Sequence, residues 1–381
     1  MKILLGGVPF GNGNIGDEAL LNCAVKIFQR NFPEAELTAA SAHADFSAES
    51  GNIAYCPAFG FDPAYKLRDF KRFARNFDMF VWAGGTGLSD YPQIGASLLE
   101  VSQKLGLKTV IWQVGMNREL NPDYFQLHGK KLKFAELLGI TRYCEKQLEK
   151  RIRERLQSCV SRCDLVFLRD QPSLIELHTS GEFPAAMLGA DPVILQEAAP
   201  GELLPRDRQD RKTVGICIAE KLSKLKQQQA IDFLGRLQER QHVRLVFIPM
   251  SESDRRIMQP IWEKLSGDPD NIITNYTHPA EIQNVVSSCS LLLSGRLHLT
   301  IMGLNVPVPG IGIANSSKIA NCLSLFGLPV FNNQSSIDFE HLYNECERWL
   351  NAPGFAERAG RVRKNMLARL EQSEKHLREL L

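Results

Sequence analysis

Short apolar runs alternate with amphipathic helical stretches along almost the whole chain, and this alternation restricts the fold more than any other feature. The first series of runs is KILLGG, ELTAA, NIAYC, MFVWAGG, KTVIWQVG, DLVFL and AAMLG; the second is TVGICIA, VRLVFIPM, NIITN, SLLLSG and VPVPGIGI. Helical patterns fill the gaps, for example from Asp17 to Arg30 and from Ile94 to Leu105. Strands that alternate with helices form parallel sheets covered by helices, so the sequence predicts an α/β protein.

A polar, proline-bearing stretch, QEAAPGELLPRDRQDR, separates the two series and is typical of a linker. A chain of 381 residues is also long for a single core. We therefore predict two Rossmann-like lobes with a central cleft, as in GT-B glycosyltransferases, with ligands at the carboxyl ends of the strands. The predicted segments are an N-terminal lobe, a linker, a C-terminal lobe and a C-terminal helical segment, at residues 1–195, 196–211, 212–345 and 346–381.

Composition excludes several classes of function. The net charge is only +2 at pH 7, so the chain as a whole does not attract nucleic acid and no such partner is expected. No apolar run reaches the ~18 residues needed to cross a bilayer. The nine cysteines are scattered and form no C-x-x-C pair, which is typical of reduced thiols in a cytoplasmic protein. We expect a cytoplasmic protein without a metal site.

The stretch GNGNIGDEALL places Gly11, Gly13 and Gly16 in the spacing G-x-G-x-x-G before a predicted helix. Dinucleotide-binding loops have this spacing, but they follow the strand directly and need an acid about 20 residues further on. Here the residues VPF separate the predicted strand from the first glycine, and the nearest acids precede the next strand. The pattern argues against a nicotinamide or flavin site and leaves a ligand loop of another kind.

The stretch SLLLSGRLHLTIMGLNVPVPGIGIANSSKIANCL carries the densest group of reactive side chains. Arg296 and His298 follow a buried strand, where arginine suits phosphate or carboxylate and histidine can transfer a proton near neutral pH. Beyond the next strand, Ser316, Ser317 and Lys318 precede or open a helix, whose N-terminus attracts anions. The sequence predicts an anion site here; a capping arginine with a hydrogen-bonded core histidine is the structural alternative.

Two further stretches of the first lobe lie at predicted strand ends. VWAGGTGLSD brings Gly84, Gly85 and Thr86 to a loop that can present backbone N–H groups to a ligand, or that simply makes a tight turn. LVFLRDQPS places Arg169 and Asp170 before a helix that starts with proline. That pair is either part of the anion site or a structural salt bridge.

One basic amphipathic segment, HGKKLKFAELLGITRYCEKQLEKRIRERLQS, has two interpretations. It suits contact with anionic lipid or with a polyprenyl-phosphate acceptor, which would bring the protein to the inner face of a membrane. A solvated helix face has the same composition.

In their order, GNGNIGDEALL, WAGGTGL, LRDQPS, LGADP and SGRLHLTIMGLNVPVPGIG…SSK resemble the polysaccharide pyruvyl transferases, over roughly residues 1–330. The chain departs from the family pattern at Thr86, in a run that is often all glycine, and in NSS before Lys318, where an Asp-Pro type sequence is common. The resemblance implies a two-lobed transferase that moves pyruvate from phosphoenolpyruvate to a sugar of a polysaccharide or its polyprenyl-linked precursor. The products are a cyclic ketal and phosphate, in exopolysaccharide or cell envelope biosynthesis, with no cofactor besides the co-substrate.

This chemistry fits the candidate residues, with the donor expected on the C-terminal lobe and the acceptor on the N-terminal lobe. The donor carries a phosphate and a carboxylate, for which the predicted ligands are Arg169, Arg296, Ser316, Ser317 and Lys318. The predicted catalytic residues are His298, Arg296 and Asp17, with His298 either the acid that protonates the enol or a phosphate ligand. The base is one of Asp17, Glu18 and Asp170. Predicted acceptor or cleft-loop residues are Asn14, Gly16, Asp17, Glu18, Gly84, Gly85 and Thr86.

Two other functions fit the same architecture. A nucleotide-sugar glycosyltransferase usually carries a glutamate in the helix after the second anion loop, whereas LHLTIMGLNVPV contains no acid. A non-catalytic relative that binds an anionic glycan is the other alternative, and the combination of Arg296, His298 and Lys318 argues against it. No motif specifies the acceptor sugar, the position of the ketal or the oligomeric state.

Overall fold

The computed structural model describes residues 1–43, 53–220, 222–313, 317–331 and 337–380. The chain divides into two compact units: unit 1 is Met1–Asn12, Ala24–Asp191 and Arg369–Leu381, and unit 2 is Gly13–Cys23 and Pro192–Ala368. Unit 2 therefore includes a segment near the N-terminus that the sequence alone assigns to the first lobe. The stretch 196–211 contains neither helix nor strand. The four boundaries given above stay predictions.

Unit 1 contains a seven-stranded sheet in which every pair of neighbouring strands is parallel. Its strands are β1 Lys2–Phe10, β2 Glu36–Ser41, β3 Ala54–Cys56, β4 Met79–Ala83, β5 Lys108–Val114, β6 Leu165–Leu168 and β7 Ala186–Leu188. The helices of this part of the chain are α1 Ile15–Asn31, α2 Leu67–Ala74, α3 Gly87–Asp90, α4 Pro92–Lys104, α5 Gly129–Leu137, α6 Thr141–Val160 and α7 Gln171–Thr179. The first turns of α1 belong to unit 2.

Unit 2 contains a six-stranded sheet that is also parallel throughout. Its strands are β8 Lys212–Cys217, β9 Val243–Phe247, β10 Ile272–Ile273, β11 Leu291–Ser294, β12 Gly310–Ile313 and β13 Val330–Phe331. The helices are α8 Lys224–Gln241, α9 Glu252–Leu265, α10 Pro279–Ser287, α11 Leu297–Asn305, α12 Ser317–Leu325, α13 Phe339–Leu350 and α14 Phe355–Arg378. The last turns of α14 belong to unit 1.

The strand order of the two sheets is the same over six strands, and the unit 1 sheet has β7 in addition at its edge. It runs β3-β2-β1-β4-β5-β6-β7 in unit 1 and β10-β9-β8-β11-β12-β13 in unit 2, so the direction of winding reverses between β1 and β4 and between β8 and β11. In sheets of this kind, ligands bind outside the carboxyl ends of the strands at the point of reversal. The topology of unit 2 therefore predicts a ligand site near the residues that follow β8 and β11.

The central strands are buried on both faces, which explains their continuously apolar sequences. Every residue of β4 and of β11 is buried, as expected for a parallel sheet with helices on both sides. Packing in unit 1 is tight around the indole of Trp82, which is fully buried. A Cβ atom on Gly95 of α4 would lie 1.8 Å from Trp82 Cη2, so only glycine lets α4 approach this strand.

All strands predicted from the sequence are present, with one correction and one omission. β1 extends to Phe10 rather than stopping before the residues VPF, because an irregularity after Leu5, with Gly7 at φ +80°, allows pairing with β2 to resume. Gly11 therefore follows its strand directly, contrary to the prediction. β13, a strand of two residues, was not predicted. Among the helices that the structure describes, none is long and apolar enough to cross a membrane.

Candidate active site

Arg296 stands at the turn between β11 and α11, at the carboxyl edge of the unit 2 sheet. The Ser294 hydroxyl fixes this turn, because it accepts a hydrogen bond from Arg296 N (3.1 Å) and donates one to Arg296 O (2.8 Å). Arg296 is the N-cap of α11, and Thr300 N donates to its carbonyl group in the first turn of the helix. The short polar turn after an apolar strand thus fixes the backbone of Arg296, from which the side chain extends.

The guanidinium group of Arg296 is held by Asp254 through two hydrogen bonds. Nε donates to Asp254 Oδ2 at 3.0 Å and Nη2 donates to Asp254 Oδ1 at 2.6 Å. Burial works against the charge of Arg296, but the hydrogen bonds and the charge of Asp254 raise its pKa overall. The side chain of Arg296 remains 31% exposed, whereas that of Asp254 is completely buried. One edge of the arginine is therefore fixed, and the other remains accessible to an anion.

Asp254 is held in turn by groups from two neighbouring strands. It lies in the first turn of α9, where Ser251 caps the helix by accepting from Asp254 N at 3.3 Å. Met250 N donates to its carboxylate at 3.2 Å, and the Cys217 thiol at the end of β8 lies 3.7 Å from Oδ2. A buried carboxylate with these partners is a rigid anchor for Arg296.

The imidazole ring of His298 packs directly on the backbone of Gly16. A Cβ atom on Gly16 would lie 2.2 Å from His298 Nδ1 and 2.9 Å from Cγ. Both residues belong to unit 2, since the start of α1 is part of that unit. The glycine in the N-terminal motif therefore admits the histidine from the second half of the chain.

Asn14 caps α1 and orients Asp17 beside this histidine. Its side-chain oxygen accepts from Gly16 N at 3.1 Å, and its Nδ2 donates to Asp17 Oδ2 at 2.8 Å. Ile15 N donates to Met250 O at 2.9 Å, which joins the start of α1 to the loop that leads to Asp254. These bonds bring the N-terminal GDE sequence to the edge of the unit 2 sheet.

Asp17 is surrounded by basic groups, yet its carboxyl group holds its proton more strongly than a free aspartate does. Burial raises the pKa of Asp17, although the charges of His298, Lys318 and Arg296 and the hydrogen bond from Asn14 act to lower it. These lowering effects show that the carboxyl group shares one electrostatic environment with the three basic side chains. Carboxyl groups with a raised pKa are found more often at functional sites than elsewhere in proteins.

Lys318 completes this cluster from the next loop of the sheet. α12 begins at Ser317, as expected from the sequence, and Lys318 is its second residue. Of the two serines predicted to bind the donor, Ser317 is exposed, whereas Ser316 lies outside the described residues. The structure thus brings together Asn14, Gly16, Asp17, Arg296, His298 and Lys318.

A different structural feature requires glycine at each of the three positions of the G-x-G-x-x-G pattern. Gly11 has φ +78°, and a Cβ there would lie 2.2 Å from Ser41 Oγ. Gly13 has φ +73°, a conformation that favours glycine. Gly16 makes room for His298. The pattern in this chain is explained by these turns and contacts.

Two predicted site residues of the first lobe, Arg169 and Asp170, take part in salt bridges within unit 1. Arg169 lies in unit 1 and is only 6% exposed, because its guanidinium group is between Asp170 (Nε to Oδ2, 3.2 Å) and Asp191 (Nη1 to Oδ2, 3.6 Å). Asp170 also caps α7 by accepting from Ser173 N at 2.8 Å. These contacts fit the structural alternative for the pair, and a role for Arg169 in donor binding stays a prediction.

In the second glycine loop, within VWAGGTGLSD, one backbone N–H group makes a hydrogen bond to the neighbouring strand β5. Gly84 and Gly85 have φ +84° and +72°, and Gly84 N donates to Trp112 O at 2.8 Å. Thr86 occupies the N-cap position of α3, and its hydroxyl donates to the carboxylate of Asp90 rather than accepting from the helix backbone. Glu18, the last predicted cleft residue, is 2% exposed. The role of these residues with an acceptor stays a prediction.

Cysteines and metal ligands contribute little to the site. None of the nine cysteines, all of which lie in the described ranges, forms a disulfide, and burial raises the pKa of the Cys159 thiol to about 12. Cys163 lies beyond the end of α6, the helix that contains Cys159. Across the described ranges, no group of three or more His, Cys, Asp or Glu side chains is placed to hold a metal ion.

Asp254 and Ser251, which contact the guanidinium group of Arg296, were not predicted from the sequence. They follow β9 in the stretch PMSESDRR, which reads as an ordinary helix start with a serine cap. The available signal was topological: β9 is next to β8 in a Rossmann sheet, so its carboxyl end lies beside the point of reversal.

Several solved structures have a fold similar to that of this chain. The chain is similar to the glycotransferase of kitacinnamycin, with a TM-score of 0.63, 11% identity and coverage of 100% of this chain and 99% of that chain. It is similar to Anabaena HepE in complex with UDP (TM-score 0.60, 13% identity, coverage 100% and 99%). The UDP-GlcNAc 2-epimerase of Neisseria meningitidis bound to UDP-GlcNAc is also similar (TM-score 0.57, 11% identity, coverage 98% and 100%). The predicted α/β fold of the GT-B class, with two Rossmann-like lobes, is confirmed.

The two parallel sheets and the solved structures of similar fold give this chain a GT-B architecture. The family model for polysaccharide pyruvyl transferase matches residues 14–317, nearly the whole chain. The chain belongs to the polysaccharide pyruvyl transferase family, as its motifs indicated, and is therefore a transferase. No curated protein matches it significantly by sequence.

Proposed function

We propose that the unit 2 cluster binds phosphoenolpyruvate and that the protein transfers its pyruvyl group to a sugar as a cyclic ketal. The observation that carries this proposal is the two-point attachment of Arg296 to the buried Asp254, which leaves one edge of the guanidinium group accessible beside His298. An arginine fixed in this way is ready to bind a phosphate or carboxylate without first losing side-chain freedom.

The charges near Arg296 suit a donor with two anionic groups. Arg296 and Lys318 supply two positive charges that act on the same carboxyl group, Asp17. Both residues lie at the first turn of a helix, α11 and α12, where the free backbone N–H groups also favour an anion. In the proposed complex, these two cations clamp the phosphate and the carboxylate of the donor.

The proposed reaction begins with protonation of the methylene carbon of phosphoenolpyruvate, which becomes the methyl group. The adjacent carbon becomes cationic, and a sugar hydroxyl attacks it and loses its proton. The bond from this carbon to the phosphate oxygen then breaks, and phosphate leaves with the electron pair. A second hydroxyl closes the ketal and releases its proton. Of the two hydroxyl protons, one replaces the proton given to carbon and the other is carried away by phosphate.

His298 and Asp17 are the groups placed for these proton transfers. We assign the protonation of carbon to His298, and we assign the hydroxyl proton to Asp17. Burial raises the pKa of Asp17, which makes this carboxylate a stronger base than an exposed aspartate. The raised pKa and the position beside His298 support this assignment.

The acceptor in this proposal is a sugar of a polysaccharide or of its polyprenyl-linked precursor, in exopolysaccharide or cell envelope synthesis in the cytoplasm. The solved relatives with UDP or UDP-GlcNAc bound make a nucleotide sugar the second ligand to test. α11 contains no acidic residue that could hold a ribose, which favours phosphoenolpyruvate over a nucleotide sugar.

Calorimetry with phosphoenolpyruvate tests the proposal directly. We expect saturable binding to the wild-type chain, with and without a panel of sugar acceptors, and no detectable binding to the Arg296→Ala variant. Arg348→Ala, which removes an exposed arginine of α13, is the matched control and should bind as the wild type does. Binding of UDP in place of phosphoenolpyruvate, or equal binding by the Arg296→Ala variant, would overturn the proposal.

A further inference from the structure

Large exposed apolar side chains are concentrated at one place in unit 1. Half of those exposed among the described residues lie within residues 134–143, at the end of α5 and the start of α6. They are Phe134 (64% exposed), Leu137 (81%), Leu138 (52%), Ile140 (38%) and Tyr143 (65%). Scattered exposed apolar residues are normal, but a contiguous group of this size marks an interaction surface.

These side chains project from a defined helical hairpin. Leu138 N donates to Phe134 O, and Ile140 N donates to Ala135 O at 2.9 Å, so the connection between the helices is hydrogen-bonded. Ala135 is the only residue of α5 that is buried. Phe134, Leu137 and Leu138 are spaced i, i+3 and i+4 and therefore share one face of α5. The apolar face belongs to an ordered element.

Basic side chains accompany this apolar face. The exposed residues near it include the cations Lys130, Lys131, Lys133, Arg142 and Lys146, against one exposed carboxylate, Glu136. Lys130 and Lys133 precede Phe134 and Leu137 by one helical turn, and lysine can lay its apolar stem along such a face with its charge outward. We name these five apolar residues and five cations the α5–α6 surface.

We propose that the α5–α6 surface binds the protein to an anionic membrane. Aromatic and leucine side chains that enter the headgroup region, beside lysine and arginine that contact anionic lipid, are the features of an interfacial amphipathic helix. A membrane with a negative surface attracts such cations, each contributing roughly fivefold to the partition constant. The protein would then lie on the bilayer without crossing it.

An exposed apolar face can also be covered by a second copy of the chain. In a twofold symmetric dimer the same patch contacts itself, which would bring the five cations of one copy against the five of the other. Like charges that meet in an interface oppose association. The charge of the α5–α6 surface therefore favours a negatively charged partner over a self-contact.

Vesicle sedimentation with the full chain tests the proposal separately from any catalytic activity. We expect binding to vesicles of phosphatidylcholine with about a third phosphatidylglycerol, at least tenfold weaker binding to pure phosphatidylcholine, and weaker binding at high salt. Leu137→Ser with Leu138→Ser should reduce binding by tenfold or more. Lys130→Ala with Lys131→Ala and Lys133→Ala should weaken binding to the anionic vesicles on the order of 10²-fold, because three of the five cations are removed. Leu325→Ser, at an exposed leucine of α12 in unit 2 (48% exposed), is the matched control and should bind like the wild type.

A Phe134→Trp variant reports whether the surface enters the bilayer. Its fluorescence should shift to the blue on anionic vesicles and be quenched by lipids brominated on the acyl chain, relative to the emission of the wild-type tryptophans. Sedimentation velocity without lipid tests the alternative, in which two copies of the chain associate through the α5–α6 surface. Equal binding by the wild type and the Leu137→Ser/Leu138→Ser variant would overturn the proposal. So would a wild-type dimer that this variant converts to a monomer, without vesicle binding by either.

Discussion

Gly16 and His298 pack so closely that no larger residue fits at position 16 while the imidazole ring stays in place. A Cβ atom on Gly16 would lie 2.2 Å from Nδ1 and 3.0 Å from the Cβ of His298. Gly16 lies in the first turn of α1, where an alanine backbone is acceptable, so the requirement is steric. The contact couples the N-terminal motif to the histidine after β11.

Gly16→Ala should therefore impair the enzyme without removing any functional group. The added methyl displaces the imidazole ring, and a misplacement of about 1 Å costs on the order of 10²-fold in rate. The free energy of unfolding should fall by about 1–3 kcal/mol, the usual cost of an added methyl group in a packed site. Turnover with phosphoenolpyruvate and an acceptor, together with thermal unfolding, measures both effects.

Gly235→Ala is the matched control for this variant. Gly235 lies in α8 of the same unit, and the nearest atom to an added Cβ is Leu265 Cδ2 at 3.7 Å, an ordinary contact. This control should keep full activity. Full activity in Gly16→Ala as well would show that the position of His298 does not matter to the reaction.

His298→Asn separates the two roles open to this histidine. If His298 protonates the methylene carbon, turnover falls on the order of 10²-fold or more, because asparagine cannot supply a proton. If it only binds phosphate, KM for phosphoenolpyruvate rises and kcat is retained. We expect the fall in kcat, measured by steady-state kinetics with saturating donor. An unchanged turnover would remove His298 from the proton transfers.

The sequence was sufficient to predict the fold and to name part of the candidate site, whose role stays a prediction. Parallel strands buried on both faces read as unbroken apolar runs, so the strands from KILLGG to VPVPGIGI were visible without a structure. Arg296, His298 and Lys318 were also visible, because polar residues after such runs lie at the ligand edge of the sheet. What local sequence could not show is which strand ends are neighbours in space.

Asp254 and Asp17 illustrate that limit. Asp254 is 42 residues before Arg296 in the chain, and its carboxylate has the local appearance of a helix N-terminal acid. Asp17 was a candidate base, but the sequence could not place it in unit 2, since α1 begins in that unit and the strand before it lies in unit 1. Contacts of this kind depend on tertiary packing rather than on periodicity.

Asp17→Asn should separate stability from activity. Because burial raises the pKa of Asp17, its stabilising contribution is fully present only below its ordinary pKa near 3.8 and is lost as pH rises through the higher pKa of the folded state. At pH 7, above the ordinary pKa, burial of this titratable group therefore costs stability, and asparagine removes this cost. We expect the variant to unfold at a higher temperature than the wild type at pH 7, by a margin that shrinks as the pH falls toward 4. Its turnover should fall on the order of 10²-fold, since the proposed base is lost.

Asp232→Asn provides the comparison for this pH series. Asp232 is an exposed residue of α8 that accepts a hydrogen bond from Gln228 Nε2 at 2.8 Å. This variant should match the wild type in turnover and in the shape of its stability profile. A lower unfolding temperature for Asp17→Asn than for the wild type at pH 7 would mean that the basic neighbours outweigh burial at Asp17.

Asp254→Asn tests whether the buried carboxylate positions Arg296 for an anion. The carboxamide has nearly the same shape, but it has one acceptor oxygen where the carboxylate receives both Nε and Nη2. The guanidinium group then loses a hydrogen bond and its fixed orientation, so we expect Kd for phosphoenolpyruvate to rise tenfold to a hundredfold by calorimetry. The free energy of unfolding should fall by about 1–3 kcal/mol, because a buried charge-assisted pair is weakened. Ser251→Ala removes the 3.4 Å contact to Nη2 and the cap on Asp254 N, but it keeps both hydrogen bonds between Asp254 and Arg296. It should therefore cost about 1 kcal/mol of stability and have a much smaller effect on Kd.

A double-mutant cycle distinguishes positioning from a general loss of stability. If Asp254 acts on the donor only through Arg296, the Asp254→Asn change should weaken binding in the wild-type background and have no further effect on the donor once Arg296 is replaced by lysine. Lysine keeps the positive charge but cannot take the two-point geometry, so Arg296→Lys should retain weak binding that can be measured. Additive losses in the double variant would show that Asp254 influences the donor independently of Arg296, through the structure of the loop after β9.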